Sequence, residues 1–324
     1  MKKIFFGILA MAAFAACSNE EQIAAPQGEA IAFGNAFVDN SVRAGEATDP
    51  SYSTNGNGVA LEKFNVYGAV NGVNIFNGNL VTKTAGYGEA WTLTGAKQYW
   101  IAGANYKFVG VVDGDKTVGE TVITKTNLDE AGLPTTINYT VDGATDLLCN
   151  VKTVNNATAP YSVVAFTYTH LLSKVKFSVK NTTGADATNY RFKLASAKIT
   201  KAYESGVYDV DDDAWSSVSG ERDYVLENLI INSNSQQYHP QEVLLLPGTV
   251  GVYVKADIEA SDDNGTTWKK VSEVEKNFAT AATLVKGSAY HFIVELGVGT
   301  EIQFTATEMT DWVDGDGDDD TVLN

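Results

Sequence analysis

From about residue 60 onward the chain alternates Thr, Val, Tyr and Phe with polar residues in short runs, broken by Gly and Asn roughly every ten residues. A period of two belongs to strands with one buried face. Many short strands between turn residues predict an all-β chain built of sandwiches. Lys63–Gly68 and Val73–Phe76 form a hairpin across Asn71-Gly72, Trp91–Leu93 makes an edge, and Tyr106–Val112 reads as a central strand ending at Asp113-Gly114. Asn127–Thr135 holds at most one helical turn before strand resumes at Ile137–Val141. A second set comprises Val163–Tyr168, His170–Ser173 and Lys174–Lys180, the last with Val175, Phe177 and Val179 inward and its lysines outward. After a turn at Asn181–Gly184 come Tyr190–Lys201, Tyr224–Asn232, Glu242–Leu246, Gly251–Ala260 and Trp268–Glu275. Asp262–Gly265 is a hairpin turn between the last two, and Tyr290–Leu296 and Ile302–Thr307 follow. Glu273–Leu284 alone has partial helical character, weakened by Val, Thr and Phe. No internal repeat, heptad pattern or second apolar span is present.

One apolar stretch stands apart. Ala30–Val38 is small or apolar except at Asn35 and Asp-free until Asp39, with Ile31, Phe33 and Phe37 in one register, which predicts a short strand buried on both faces. It is followed by Ser41-Val42-Arg43-Ala44, a polar linker with one basic residue, and then by the loose segment 45–58. Ahead of it, Met1-Lys2-Lys3 and the apolar run Ile4–Ala16 form an export signal, the run being too short for a bilayer span of about 20 residues. Phe14-Ala15-Ala16-Cys17 then presents small residues and a cysteine at the boundary, with polar Ser18-Asn19-Glu20-Glu21 after it. The same residues would also serve an ordinary secretory signal with a chance cysteine. The expected division is 1–16 signal peptide, 17–43 propeptide with a removable strand, 44–165 first sandwich and 166–324 second sandwich. The length favours two domains, and the boundary falls between Asn156 and Lys174 without a linker to mark it.

The 40 acids against 23 bases give a net charge of −17, and residues 1–43 supply only four acids and three bases. Such a surface repels phosphate backbones and excludes nucleic acid as a partner class. With two cysteines, Cys17 and Cys149, and the first placed at the export boundary, no disulfide framework exists. Cys149, in Asp146-Leu147-Leu148-Cys149, reads as an inert core thiol. His170, His239 and His291 lie far apart without metal-ligand spacing, and His170 reads as a hydrogen-bonded boundary residue rather than a base. The acidic runs Asp209–Asp213 and Asp314–Asp320 offer oxygen ligands for calcium. The second, however, places its glycines wrongly for a helix-loop-helix calcium site and has no closing glutamate. Both fit solvated loops better. No nucleophile elbow, zinc-protease or phosphate-loop motif is present, and five Trp on separate segments suit packing better than a sugar platform. An enzyme is not expected, nor a metal or a cofactor.

In order along the chain, several pieces together resemble the fimbrillin family, the two-domain pilins of type V pili. They are the lipobox ending at Cys17, Ile31-Ala32-Phe33, Arg43, Phe64–Gly68, Tyr99-Trp100 with Tyr106–Phe108, Asp146–Leu148, His170–Phe177, and Ile302–Thr307 with Trp312. The resemblance implies two tandem transthyretin-like β-sandwiches and an outer-membrane lipoprotein precursor carrying a thioether lipid and an N-acyl (palmitate) chain on Cys17. It also implies an arginine-specific protease cutting between Arg43 and Ala44, so that the strand bearing Ile31, Phe33 and Phe37 is released. Other pilin subunits then polymerise head to tail by donor strand exchange, giving a surface fimbrium for cell adhesion, with a host or glycan ligand left open. Its alternative is a permanently lipid-anchored surface lipoprotein, either pilus anchor or adhesin. The C-terminal end departs from the pattern, because only Thr321–Asn324 follow the acidic run. Either Ile302–Val313 serves as donor, or the donor is short, or the subunit is not a stalk pilin but a tip, which needs a groove and need not donate.

Overall fold

Val, Thr, Tyr and Phe fit a pleated, half-buried surface, and every regular element among the described residues is a strand. The computed structural model describes residues 28–34, 37–38, 61, 63–83, 90–113, 123–183, 189–232, 235–238, 241–248, 253–277, 284–297 and 303–311. In chain order the strands are β1 (Phe37–Val38), β2 (Lys63–Val70), β3 (Val73–Lys83), β4 (Trp91–Leu93), β5 (Tyr106–Val112), β6 (Ile123–Leu128) and β7 (Pro134–Thr140). They continue with β8 (Leu148–Val154), β9 (Thr167–His170), β10 (Ser173–Asn181), β11 (Arg191–Ala202), β12 (Ser205–Asp209), β13 (Ala214–Ser219) and β14 (Arg222–Val225). The last are β15 (Leu229–Asn232), β16 (Ser235–Tyr238), β17 (Val243–Leu245), β18 (Tyr253–Ser261), β19 (Lys269–Asn277), β20 (Ser288–Leu296) and β21 (Gln303–Asp311).

A seven-stranded sheet runs β1-β9-β8-β5-β2-β3-β4, and a four-stranded sheet runs β13-β12-β7-β6. Two five-stranded sheets have orders β16-β10-β20-β21, with β17 also on β10, and β14-β11-β18-β19, with β15 also on β11. Pairing is antiparallel except for β1 on β9 and β20 on β10. As expected, β5 is the centre of its sheet and β4 an edge. Asn71 and Gly72 turn β2 into β3 with φ of 47° and 79°, the double left-handed geometry that this tight hairpin needs.

The seven-stranded sheet is apolar on both faces, because β5 sends Val109 and Val111 one way and Tyr106 and Phe108 the other, into two separate clusters. On the first face, Ala69, Val109, Val111 and Cys149 join Ile137 and Tyr139 of β7 and Tyr208 of β12. That cluster continues through Phe177 and Phe292 to Ile199 and Val254 in the two five-stranded sheets. Residue 165 is therefore spanned by strand pairing twice: β9 lies in the seven-stranded sheet, and β7 pairs with β12 from Thr140↔Ser205 to Thr136↔Asp209.

Several local expectations change. The single run Tyr224–Asn232 is two strands, β14 and β15, both on β11. A bulge in β11 between Ala195 and Lys198, with Ser196 at φ 51°, forces the break, and the Asn228 side chain accepts the Ser196 amide there (3.1 Å). Glu273–Asn277 is strand rather than helix: Val274 is buried while Glu273 and Glu275 face out, so the period of two prevails. Asn127–Thr135 is the β6–β7 turn, where Asp129 accepts the Leu133 amide through its side chain (2.8 Å). In β10 the inward residues are as expected, but Lys174 is buried along its stem with its ammonium 3.6 Å from Glu242, since a long side chain can cover apolar surface while its charge stays at the rim.

Candidate functional site

The second face of the seven-stranded sheet is aromatic. Phe64 (β2), Phe76 (β3), Tyr106 and Phe108 (β5), Tyr168 (β9) and the preceding Phe166 are all buried in one cluster. Phe64 packs edge-to-face or tilted 5.4 Å from Phe166 and 5.9 Å from Tyr168, Phe76 lies tilted 6.3 Å from Phe108, and Tyr106 stacks on Phe108 at 5.8 Å. Two glycines make the room. A Cβ on Gly68 would stand 2.8 Å from Phe76 and 2.9 Å from Phe108, and one on Gly110 would stand 2.3 Å from the Tyr168 hydroxyl.

Residues 28–34 cover this face as an extended segment held on both sides. On one side the Ile31 amide donates to the Gln98 carbonyl (2.8 Å) and the Trp100 amide donates to Glu29 (3.0 Å). On the other, the Gly34 amide donates to Val164 (3.1 Å) and the Val164 amide donates to Ala32 (2.9 Å). The segment thus bridges antiparallel at Ala30↔Tyr99 and parallel at Phe33↔Val164. Ile31 and Phe33 point into the sheet and are each 5 % exposed. Phe33 meets four rings: Phe76 at 5.5 Å, Phe108 at 5.9 Å, Phe64 at 6.2 Å and Phe166 at 6.3 Å, the last nearly parallel.

The expectation of burial on both faces is corrected here, because Glu29 and Ala32 are exposed and only one side of the segment faces the core. The sheet beneath and Phe166 supply the rings that Phe33 meets, while on the outer side Ala32 is exposed and Gly34 is buried beside Val163 and Trp91. Phe37 lies in β1, paired in parallel with Thr167 of β9. Cys17, Arg43, Ala44 and the run Asp314–Asp320 lie outside the described residues.

Chemistry elsewhere is engaged in structure. Cys149 is buried, and burial pushes its thiol up to about 12, a protonated and inert state. His170 is buried at the end of β9 with Nδ1 2.5 Å from the Asp146 carboxylate, which also accepts the Leu147 amide. The acidic run Asp209–Asp213 is the β12–β13 turn. Asp209 accepts the amides of Asp211 and Asp212, Asp211 pairs with Lys107 (2.6 Å), and Asp213 pairs with Lys286 (2.5 Å). No group of three metal-ligating side chains occurs among the described residues. Trp100 stacks on Tyr161, Trp91 packs on Phe64, Trp215 donates to the Leu171 carbonyl and Trp268 lies under Lys193, so these four share no surface. The residues that sequence reasoning missed are the floor of the face: Phe76, Phe166 and Tyr168 carried no signal that they meet Ile31 and Phe33.

A family model described as fimbrillin-like matches residues 48–312. No curated protein matches the chain. Among solved structures, a proposed cell adhesion protein of Bacteroides uniformis is 18% identical with a TM-score of 0.53, covering 81% of this chain and 95% of its own. A fimbrial protein of Bacteroides vulgatus is 16% identical with a TM-score of 0.54, covering 77% of this chain and 92% of its own. At these identities the two structures establish a shared fold.

Proposed function

The chain belongs to the fimbrillin-like family, and on that premise we propose that it is the precursor of a fimbrial subunit for cell adhesion, with residues 28–34 holding the place of a strand supplied by a neighbouring subunit. The observation that carries this reading is the double-sided seat of the segment. Without it, the Trp100 amide, the Gln98 carbonyl and both polar groups of Val164 would face an open aromatic groove. An unpaired strand slot over apolar floor is a template for an incoming strand: main-chain bonds give affinity and alternate side chains fill pockets. Head-to-tail insertion does not close on itself and produces a filament.

The forces on the segment are the right size for exchange. Burying Ile31 and Phe33 stabilises by about 1.5–3 kcal/mol each, and each main-chain hydrogen bond adds roughly 0.5–1.5 kcal/mol. While the chain is continuous, the linker between Val38 and Lys63 keeps the segment at an effective concentration on the order of millimolar. A cut between Arg43 and Ala44 by an arginine-specific protease removes that advantage and leaves every contact unchanged. The freed peptide, still joined to lipid at Cys17 in the outer membrane, then yields to a competitor. In this reading the seven-stranded sheet, β9 included, and its cover form the acceptor half of the subunit. The protein performs no catalysis.

The test is Arg43→Ala in cells. Full-length, membrane-bound protein without polymer is the expected result, and polymer equal to wild type would refute strand replacement. Wild-type protein recovered only as uncut, acylated monomer would point instead to a standing lipoprotein anchor or adhesin.

A further inference from the structure

Three segments meet beside the start of β10 and leave a hollow between them. The β12–β13 hairpin brings Asp213, Trp215 and Val218, the chain after β17 brings Pro247, and the chain before β20 brings Lys286. Together they line a cavity of about 260 Å³. It lies apart from the aromatic groove, whose rings form a separate cluster. Its volume falls just below the range usual for drug-sized ligands, roughly 300–1,000 Å³, so it takes one ring rather than an extended molecule.

The walls are set before anything binds, which spares a ligand the cost of ordering them. The Trp215 indole donates to the Leu171 carbonyl (2.6 Å), and its ring packs 5.6 Å from Tyr208 and 6.2 Å from Tyr139. A Cβ on Gly206 would stand 3.0 Å from that ring, so glycine lets the indole lie close on β12, yet Trp215 stays half-exposed. The Gly248 amide donates to Leu284 and the Gly287 amide to Leu172 (both 2.9 Å), which pins the chain on either side of Lys286. Lys286 donates to the Asp213 carbonyl (3.0 Å), pairs with Oδ1 of the same residue (2.5 Å) and lies over the Tyr208 ring. The Tyr208 hydroxyl donates to that Oδ1 as well.

An ammonium has three N–H groups and a carboxylate two oxygens. The bonds above use two of the former and one of the latter, so the rim presents one N–H of Lys286 beside Oδ2 of Asp213, over an apolar floor. One donor next to one acceptor matches two adjacent hydroxyls. The two charges cancel, so an ion gains no net attraction there, and an anion also meets the −17 of the whole chain. A wholly apolar ligand would strip both rim groups of water without replacing it. A sugar ring meets both demands, with C–H groups on its faces and hydroxyls around its edge. We propose that the cavity binds one neutral pyranose, the terminal residue of a glycan, with its C–H face on Trp215, Val218 and Pro247 and two adjacent hydroxyls on Asp213 and Lys286. This rests on the cell-adhesion reading for its role and gives that reading a ligand class. It is independent of strand replacement, since no lining residue belongs to the groove. One tryptophan serves one ring, so the scatter of the others over separate surfaces does not bear on it.

The test titrates the uncut chain with the methyl glycosides of glucose, galactose, mannose and N-acetylglucosamine, following the Trp215 indole signal by NMR. At least one should shift that signal with a dissociation constant on the order of millimolar, as suits one ring with two polar anchors. Ala214→Trp, at an exposed position on the cavity wall, should plug the site and abolish binding. Asp213→Asn, which the left-handed φ of 52° tolerates, should weaken the neutral ring roughly tenfold or more. By leaving Lys286 uncompensated, the same change should make methyl glucuronide a better ligand than methyl glucoside. The responding ring at the non-reducing end of a disaccharide should bind at least as well as its methyl glycoside. A disaccharide that fails where the methyl glycoside binds would overturn the glycan assignment in favour of a free sugar. Binding of the glucuronide alone to the wild type would overturn the neutral class, and binding that survives Ala214→Trp would overturn the site. No shift with any of the four on a chain of normal thermal melt would overturn the proposal and leave both the fimbrial reading and strand replacement standing.

Discussion

The two faces of the seven-stranded sheet are equally apolar and are sealed in opposite ways. Val109 and Val111 look onto Ile137, Tyr139 and Tyr208, which belong to strands bonded into a further sheet and to a cluster reaching Val254 and Phe292. Phe64, Phe76, Phe108 and Phe166 look onto Ile31 and Phe33, two side chains on a segment with four main-chain bonds to its neighbours. The first cover cannot leave without unmaking the fold. In the reading proposed above, the second leaves alone. Permanence therefore depends on how many independent elements must open together, and apolar area by itself does not confer it.

This contrast has consequences of decreasing size. Ile137→Ala, on the permanent face, should cost about 2–5 kcal/mol in denaturant unfolding, equally in the uncut and the cut chain. Phe33→Asp would place an uncompensated carboxylate among four rings, so the segment should be expelled. The melting temperature of the uncut chain should fall to that of the cut chain and no further, and the cut chain, having lost residue 33, should not change. A fall well below the cut chain would mean that the two covers are not independent.

A smaller effect is confined to alkaline pH. The buried Cys149 thiol, from the permanent face, is held up to about 12 against an ordinary value of 9.0. Between those values the unfolded chain loses this proton and the folded chain keeps it, so stability falls as pH rises above 9. Cys149→Ala should flatten that fall, alike in cut and uncut protein, and a thiol reagent at pH 8 should leave Cys149 unlabelled in both until unfolding. Smallest is Lys198→Ala, which removes an exposed pair with Asp223 on β11 and β14. About 0–1 kcal/mol is expected, vanishing in high salt.

The alternation in Lys63–Gly68, Tyr106–Val112 and Lys174–Lys180 made the all-β class legible, because a buried face repeats every second residue whatever partner covers it. Ile31 and Phe33 were legible for the same reason. What pairs with what was not. β7 meets β12 across some 65 residues of sequence, and neither Ile137 nor Tyr208 bears a mark of the other. The strands β6, β8, β12, β13 and β16 escaped notice; in β8 and β13 exposed residues such as Thr153 and Ser216 dilute the pattern. Ala32 looked like a core residue since its side chain is apolar, yet it faces out; small apolar residues are poor indicators of burial. The floor of the groove is the extreme case, six aromatic residues from β2, β3, β5, β9 and Phe166 that only the sheet order brings together.

Amide hydrogen exchange at Trp100 and Val164 tests the replaceable cover most directly. In the uncut chain both amides are bonded to residues 29 and 32, and β5 amides such as Val109 are bonded within the sheet. After cleavage at Arg43 and removal of the leader, Trp100 and Val164 should lose protection by at least a hundredfold while Val109 stays protected, and added residue 28–34 peptide should restore them. Protection at Trp100 and Val164 that survives removal of the leader, or collapse of Val109 with them, would contradict a groove held open for a second strand.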